Sequence, residues 1–118
     1  MQGETVIYHN PKCGTSRKVL GMLRDAGLEP VVVEYLKAPP TRDELIALLA
    51  QLELPVREIL RRKEAGYTQL GLDDATKPDG SVIDAILAHP VLMQRPIVIS
   101  PRGARICRPA EAVRALLP

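Results

Sequence analysis

The order of short apolar runs along the chain is the feature that most limits its possible folds. A β-rich run at residues 5–8 ends at the breaker Asn10-Pro11, and apolar residues at helical spacing then continue to Gly27, which suits a helix end. A second run, Val31–Val33, predicts another strand, and its uniformly apolar side chains are typical of a strand covered on both faces. The first third of the chain therefore predicts a β-α-β unit.

The middle of the chain, residues 41–90, predicts helices. Thr41 and Glu44 have the spacing of a capping box, with a hydroxyl at the N-cap and a carboxylate three residues later. A short second helix should end in a group of cations that includes Arg61, because cations are favoured near the negative pole of a helix. A third helix should begin at Ser81 and stop at a later proline.

The last quarter predicts a hairpin, with strands at 97–99 and 105–107, and a closing helix whose first turn contains Pro109. A β-α-β unit, a helical stretch, a hairpin and a helix in this order are typical of an α/β, thioredoxin-like fold. We expect a mixed four-stranded sheet flanked by helices, with a helical insertion between strands 2 and 3. Residues 1–118 should form a single domain, with a helical subdomain at about 41–90.

Composition excludes several classes of protein. The chain has no Phe or Trp and three Tyr, so stacking on nucleic acid bases is poorly supplied and we expect no nucleic acid partner. No apolar run approaches the roughly 18 residues that span a bilayer, and the first residues lack a secretion signal. Two cysteines without a CxxC pair exclude a zinc ribbon. We expect a cytoplasmic monomer with free thiols, no membrane association and no bound metal.

A thiol stands at the predicted turn from the first strand to the first helix. The neighbours of Cys13 are polar or small, and the N–H groups of Gly14, Thr15 and Ser16 at the helix start would favour a negative charge there. Lowering a thiol pKa from roughly 8.5 to about 6.5 needs roughly 2.7 kcal/mol, whereas a helix N-terminus supplies up to about 2 kcal/mol. A neighbouring cation is therefore expected as well.

The same backbone donors would also hold an oxyanion, but a thiolate and an anionic substrate repel each other. A site that holds both needs several cations, preferably guanidinium groups that bind oxyanions through two donors. Arginine supplies 11 of the 16 Lys and Arg residues of the chain. If the sheet forms as predicted, Arg61, Arg95 and Arg108 could converge on the edge that carries Cys13.

Two thiol chemistries compete at this stage. A phosphatase loop requires H-C-x5-R, but Lys12 precedes the cysteine and Val19 occupies the arginine position, so the spacing excludes it. The segment from Cys13 to Ser16 also reads C-x-x-S, the pattern of a monothiol glutaredoxin. A glutathione-dependent thiol/disulfide reductase therefore stays open as an alternative.

Three motifs together resemble the glutaredoxin-dependent arsenate reductase family. They are H-N-P-K-C-G-T-S-R from His9 to Arg17, R-P-I-V from Arg95 and C-R-P from Cys107, and the resemblance extends over essentially the whole chain. It implies that Cys13 is the nucleophile, that His9 helps to hold the thiolate, and that the family's three active-site arginines are those at 61, 95 and 108. It further implies arsenate as substrate, glutathione as co-substrate, glutaredoxin as protein partner and no tightly bound cofactor.

Several points stay open in the sequence. A thiol-stress transcriptional regulator of the same fold is a further alternative, although such regulators carry a CxxC switch and lack the full arginine set. His9 could hold either the thiolate or the turn. Cys107, in a predicted apolar strand, favours a buried structural role. The Arg95-Pro96 bond is a candidate for the cis form, because thioredoxin-like folds have a cis proline beside the cysteine.

Overall fold

A mixed four-stranded sheet forms the centre of the computed structural model, which describes residues 4–118. The strand order is β2-β1-β3-β4; β1 pairs parallel with β2 and antiparallel with β3, and β3 pairs antiparallel with β4. The predicted α/β, thioredoxin-like sheet is therefore confirmed. The strands are β1 (Val6–Tyr8), β2 (Val31–Val33), β3 (Ile97–Ser100) and β4 (Gly103–Ile106).

The chain divides into two compact units. The first unit combines the residues up to Ala38 with Arg95–Pro118, and contains the sheet, helix α1 (Gly14–Asp25) and a C-terminal 3₁₀ helix, Ala110–Leu116. The second unit, Pro39–Gln94, stands between β2 and β3 in the sequence and is built from helices. Its helices are α2 (Arg42–Leu52), a 3₁₀ helix (Val56–Ile59), α3 (Ala65–Gln69), α4 (Asp79–Ala88) and a second 3₁₀ helix (Pro90–Leu92).

The core of the first unit lies between the sheet and its two helices. Val19 and Leu23 of α1 are fully buried, as the helical spacing of apolar residues predicts, and Gly27 ends the helix region with a φ of 85°. The sheet contributes Ile7 and its cross-strand partner Val98 to the same cluster. The cluster is completed by Cys107, Ala110, Val113 and Leu116. Burying these side chains fixes α1, and with it the turn that precedes α1, against the sheet.

Strand β2 is more exposed than its composition suggests. Val31 is 43% and Val32 36% exposed, so the expectation of a strand covered on both faces is wrong. The reason is position, because β2 lies at the edge of the sheet and pairs with β1 on one side. Three valines favour extended backbone wherever the strand lies, so composition alone does not distinguish an edge strand from a covered one.

The second unit begins with the predicted capping box. The Thr41 hydroxyl accepts the N–H of Glu44 at 3.2 Å, and the Glu44 carboxylate accepts the N–H of Thr41 at 2.9 Å. Helix α2 packs against α4, and Arg42 forms an ion pair with Asp84 across this contact. Helix α4 ends at Ala88 as predicted, but it begins at Asp79 rather than at Ser81. The extended backbone of the preceding proline starts this helix without a side-chain cap.

The segment around Arg61 differs from its prediction. The helix expected to end in cations is a 3₁₀ helix that ends at Ile59, and Leu60 then forms an antiparallel bridge with Met93. Within this bridge the N–H of Arg61 donates to the carbonyl of Leu92 at 2.7 Å. Arg61 therefore lies in an extended segment, where backbone pairing with another chain segment replaces the final helical turn.

The peptide bonds before two prolines are cis. The predicted cis form of Arg95-Pro96 is confirmed, and Arg108-Pro109 is also cis, which the sequence did not indicate. Pro109 lies at the N-cap of the closing helix rather than in its first turn, and that helix is of the 3₁₀ type.

No helix within residues 4–118 is long and apolar enough to cross a bilayer.

Candidate active site

Cys13 occupies the N-cap of α1, directly after the turn that follows β1. Its N–H donates to the carbonyl of Asn10 at 3.0 Å and closes the turn, while its own carbonyl accepts the N–H of Arg17 at 3.0 Å. The Cys13 side chain is half-buried. The sulfur therefore lies at the positive pole of α1, which favours a negative charge on it.

Three donors surround the Cys13 sulfur. Partial burial is the largest single influence on the thiol and raises its pKa, but the backbone N–H of Ser16 and the guanidinium groups of Arg95 and Arg108 lower it. The lowering contributions prevail together, so the pKa of Cys13 lies below its ordinary value. The arrangement favours a thiolate, the reactive form of cysteine.

The two arginines differ in their surroundings. Arg108 is exposed, and its Nη1 lies 3.8 Å from the Cys13 sulfur and donates to the backbone carbonyl of Arg95 at 3.2 Å. Arg95 is half-buried, and its Nε and Nη1 are buried without a hydrogen-bond partner in the described part of the chain. A buried guanidinium with unused donors beside a thiolate can bind the oxygens of an anion.

His9 is buried beneath the turn and contacts Ser16 rather than filling a solvent-exposed position. Its Nδ1 lies 2.6 Å from the Ser16 hydroxyl, which also accepts the N–H of Asn10 at 3.1 Å. Burial lowers the pKa of His9, and the charges of Arg24 and Arg17 lower it further against the opposing effect of Glu34. A neutral His9 thus fixes the hydroxyl of the residue whose N–H points at the Cys13 sulfur.

Ser16 brings to the site a hydroxyl that the sequence did not single out, although its N–H was expected together with those of Gly14 and Thr15. It is fully buried, and it links the turn to His9 through its hydroxyl and to the thiol through its N–H. The C-x-x-S spacing accounts for the N–H contact, because the third residue after an N-cap donates its N–H to the capping position, but it does not account for the hydroxyl contact with His9. Gly14 and Thr15, which the sequence did indicate, are the first two residues of α1, so their N–H groups have no carbonyl partner within the helix.

Arg61 lies in the second unit and is held there from two sides. Its backbone is fixed by the hydrogen bond to Leu92, and its Nη1 donates to the Glu64 carboxylate at 2.8 Å. Both side chains of this ion pair are about three-quarters buried, with exposed fractions of 23% and 27%. The guanidinium therefore has a defined place within its own unit.

Cys107 is fully buried in the core of the first unit. Burial raises the pKa of its thiol to about 11, although the charge of Arg105 opposes the shift. A thiol of this kind is protonated at neutral pH and out of reach of solutes, as the predicted structural role requires.

Across residues 4–118, no three His, Cys, Asp or Glu side chains form a group that could hold a metal ion.

Comparison with known proteins assigns a family. A family model described as "ArsC family" matches residues 8–116, which include every residue described at the site. The chain belongs to the ArsC family. A relative from Rhizobium meliloti named arsenate reductase is 53% identical over 112 residues, which cover 95% of this chain and 80% of the relative.

Two further ArsC-type proteins extend the comparison. An arsenate reductase from Escherichia coli K12 is 50% identical over 112 residues, covering 95% of this chain and 79% of that protein. A solved structure of an arsenate reductase from Vibrio cholerae matches with a TM-score of 0.93 and 42% identity, and covers 99% of this chain and all of that one, 100%. The thioredoxin-like architecture described above is thus the ArsC architecture.

Proposed function

We propose that this chain reduces arsenate to arsenite through a covalent adduct on Cys13. The observation that carries the proposal is the pairing of a thiol of lowered pKa with the Arg95 guanidinium, two nitrogens of which are buried and have no hydrogen-bond partner within residues 4–118. An anionic tetrahedral substrate supplies the oxygens that such nitrogens lack. Membership in a family whose similar relatives are named arsenate reductases supports the same substrate.

The first step places arsenic beside the sulfur. The Cys13 thiolate attacks the arsenic of dihydrogen arsenate, a sulfur–arsenic bond forms, and one oxygen leaves as hydroxide, so that charge and atoms balance. Arg95, Arg108 and the N–H groups at the start of α1 offset the repulsion between the two anions. Gly14 and Thr15 contribute backbone donors to this binding, and arsenic remains As(V) in the adduct.

The second step transfers two electrons. The thiolate of glutathione attacks the Cys13 sulfur, a disulfide forms, and the sulfur–arsenic bond breaks with its electron pair remaining on arsenic, which leaves as arsenite after protonation. Glutaredoxin then removes glutathione from the mixed disulfide by thiol–disulfide exchange and restores the Cys13 thiolate. The inaccessible Cys107 supports external thiols as reductants, since it is the chain's second and last cysteine.

Arg61 is proposed as a third oxyanion ligand. The resemblance to the family implies this role, and within its own unit the guanidinium is held by Glu64 at one nitrogen while the backbone N–H is bonded to Leu92. The proposed enzyme works as a cytoplasmic monomer without a tightly bound cofactor. The Arg61 assignment rests on the resemblance and on the local geometry of its side chain, and the cytoplasmic location, the monomer and the lack of a tightly bound cofactor rest on the sequence alone.

The experiment that tests the proposal measures NADPH oxidation with arsenate, glutathione, glutaredoxin and glutathione reductase. Cys13→Ser should abolish the activity, and Cys107→Ala, a matched change at the other thiol, should retain most of it. Alanine at 61, 95 or 108 should lower kcat/KM for arsenate, whereas Arg102→Ala, an exposed hairpin arginine, should not. Activity that survives in Cys13→Ser would remove the nucleophile assignment, and three arginine variants with unchanged kcat/KM would remove the oxyanion site.

A further inference from the structure

Arg17 stands in a place that helix stability does not explain. It lies in the first turn of α1, which contains no acidic residue, so its positive charge is next to the positive pole of the helix. A cation there is unfavourable by about 0.3–1 kcal/mol. Something other than the stability of α1 is therefore needed to account for a guanidinium at this position.

The Arg17 side chain folds back over the turn that carries the thiol. Its Nη1 donates to the carbonyl of Pro11 at 2.9 Å, and its Nη2 lies 3.7 Å from the point where a Cβ on Gly14 would stand. Gly14 directly follows Cys13, so the guanidinium is held beside the reactive residue while the side chain remains exposed. Lys12, which directly precedes Cys13 in the sequence, is exposed as well.

Arg17 nevertheless differs from the arginines that act on the sulfur. Arg95 and Arg108 hydrogen-bond to the sulfur and are among the largest influences that lower the pKa of Cys13, whereas the Nη1 of Arg17 donates to the carbonyl of Pro11. It lies near enough to the turn to repel a proton on His9, whose pKa it lowers. The positive charges at the site thus form an inner pair around the sulfur and an outer group, Lys12 and Arg17, exposed to solution.

We propose that Arg17, assisted by Lys12, binds a carboxylate of the small thiol that attacks the Cys13 adduct. Glutathione carries two carboxylates and a net negative charge, and a fixed, exposed guanidinium binds a carboxylate through two parallel donors. The inner arginines hold the oxyanion, and the outer group holds the reductant. This inference rests on the proposed function for its physiological meaning, but not for its test.

Thiol–disulfide exchange tests the outer group without arsenate. Wild-type protein and Arg17→Ala are mixed with glutathione disulfide, which is anionic, or with cystamine, which is cationic, and formation of the mixed disulfide at Cys13 is followed by mass spectrometry. Arg17→Ala should slow the reaction with glutathione disulfide about fivefold, the order expected from one exposed ionic contact, and should not slow the reaction with cystamine. Arg17→Lys should recover part of the rate.

Lys18→Ala is the matched control, because it removes the same charge from the next residue of α1, where Lys18 pairs with Glu111 at 2.8 Å. This control should react with both disulfides at the wild-type rates. Equal slowing of both reactions in Arg17→Ala would assign Arg17 to the reactivity of Cys13 and overturn the proposal. So would unchanged rates with both disulfides, or a defect that appears solely when glutaredoxin is present, which would assign Arg17 to the protein partner. A wild-type protein that exchanges normally but does not reduce arsenate would contradict the proposed function and leave this inference standing.

Discussion

A single nitrogen of Arg108 contacts both the sulfur of Cys13 and the backbone of Arg95. Nη1 lies 3.8 Å from the sulfur and 3.2 Å from the Arg95 carbonyl oxygen. These three residues come from the turn after β1, the segment before β3 and the segment after β4. The Arg108 side chain therefore ties three chain segments together at the point where the thiolate must be stabilised.

Removal of Arg108 should make the Cys13 thiol less acidic. In Arg108→Ala one cationic donor to the sulfur is lost, so the pKa of Cys13 should rise and less thiolate should be present at neutral pH. The rate of alkylation by iodoacetamide, measured across a pH series, should be severalfold lower at neutral pH and should converge with the wild-type rate at alkaline pH. Arg102→Ala should leave the whole profile unchanged, and a profile for Arg108→Ala that overlaid the wild type would contradict the contact.

The buried His9 should make the fold sensitive to mild acid. Its folded-state pKa lies below the ordinary value of 6.5, so below that pH the unfolded chain takes up a proton that the folded chain resists. The free energy of unfolding should therefore fall as the pH drops through 6.5, and should level off below the folded-state pKa. Urea unfolding of wild type and His9→Gln at several pH values measures this, and the difference between the two proteins should shrink toward acid. A constant difference would argue against a neutral His9.

Cys107 should not react with thiol reagents in the folded protein. Because its pKa is raised to about 11 by burial, a neutral-pH reagent should modify one thiol per native chain, at Cys13, and two in denaturant. Cys107→Ala should lower the free energy of unfolding by about 1 kcal/mol through the small cavity left in the core. Peptide mapping identifies the labelled residue, and native labelling at Cys107 would show that the core opens there.

The capping box should contribute to the stability of the second unit. Thr41→Ala removes the hydroxyl that accepts the N–H of Glu44, and typically such a loss costs about 1 kcal/mol. Thermal unfolding should show a lower melting temperature for Thr41→Ala, and urea unfolding should show a lower free energy of unfolding. Thr68→Ala, at an exposed hydroxyl whose hydrogen bond to Ala65 is long at 3.4 Å, serves as the comparison and should have a smaller effect.

The sequence predicts the first unit well because its signals are local. A β-rich run, a breaker and an amphipathic helix place Cys13 at the start of α1 without reference to the rest of the chain. In the second unit, the capping box of Thr41 and Glu44 likewise predicts where α2 begins. The pattern of residues 97–107 likewise predicts the hairpin, because two short β-rich runs and the turn between them lie within a few residues of each other.

Features that depend on distant pairing were not predictable in this way. The bridge between Leu60 and Met93 has no periodic signature, so the sequence indicated a helix end where Arg61 is in fact extended. The exposure of Val31 depends on which strand lies at the sheet edge, and the hydroxyl contacts of Ser16 depend on how the turn folds back over His9. Local propensity carries no information on these relationships.

The short edge strand β2 has a consequence for solubility. An edge strand with exposed valines is a template for aggregation, because its unpaired backbone N–H and C=O groups can form hydrogen bonds with strands of other chains. Here the template is three residues long, and it is bounded by Pro30, which has no N–H to donate, and by the charged residues Glu29 and Glu34. These flanking residues act as gatekeepers, because a proline without an N–H and nearby carboxylates oppose the pairing of this exposed, valine-rich edge with strands of other chains.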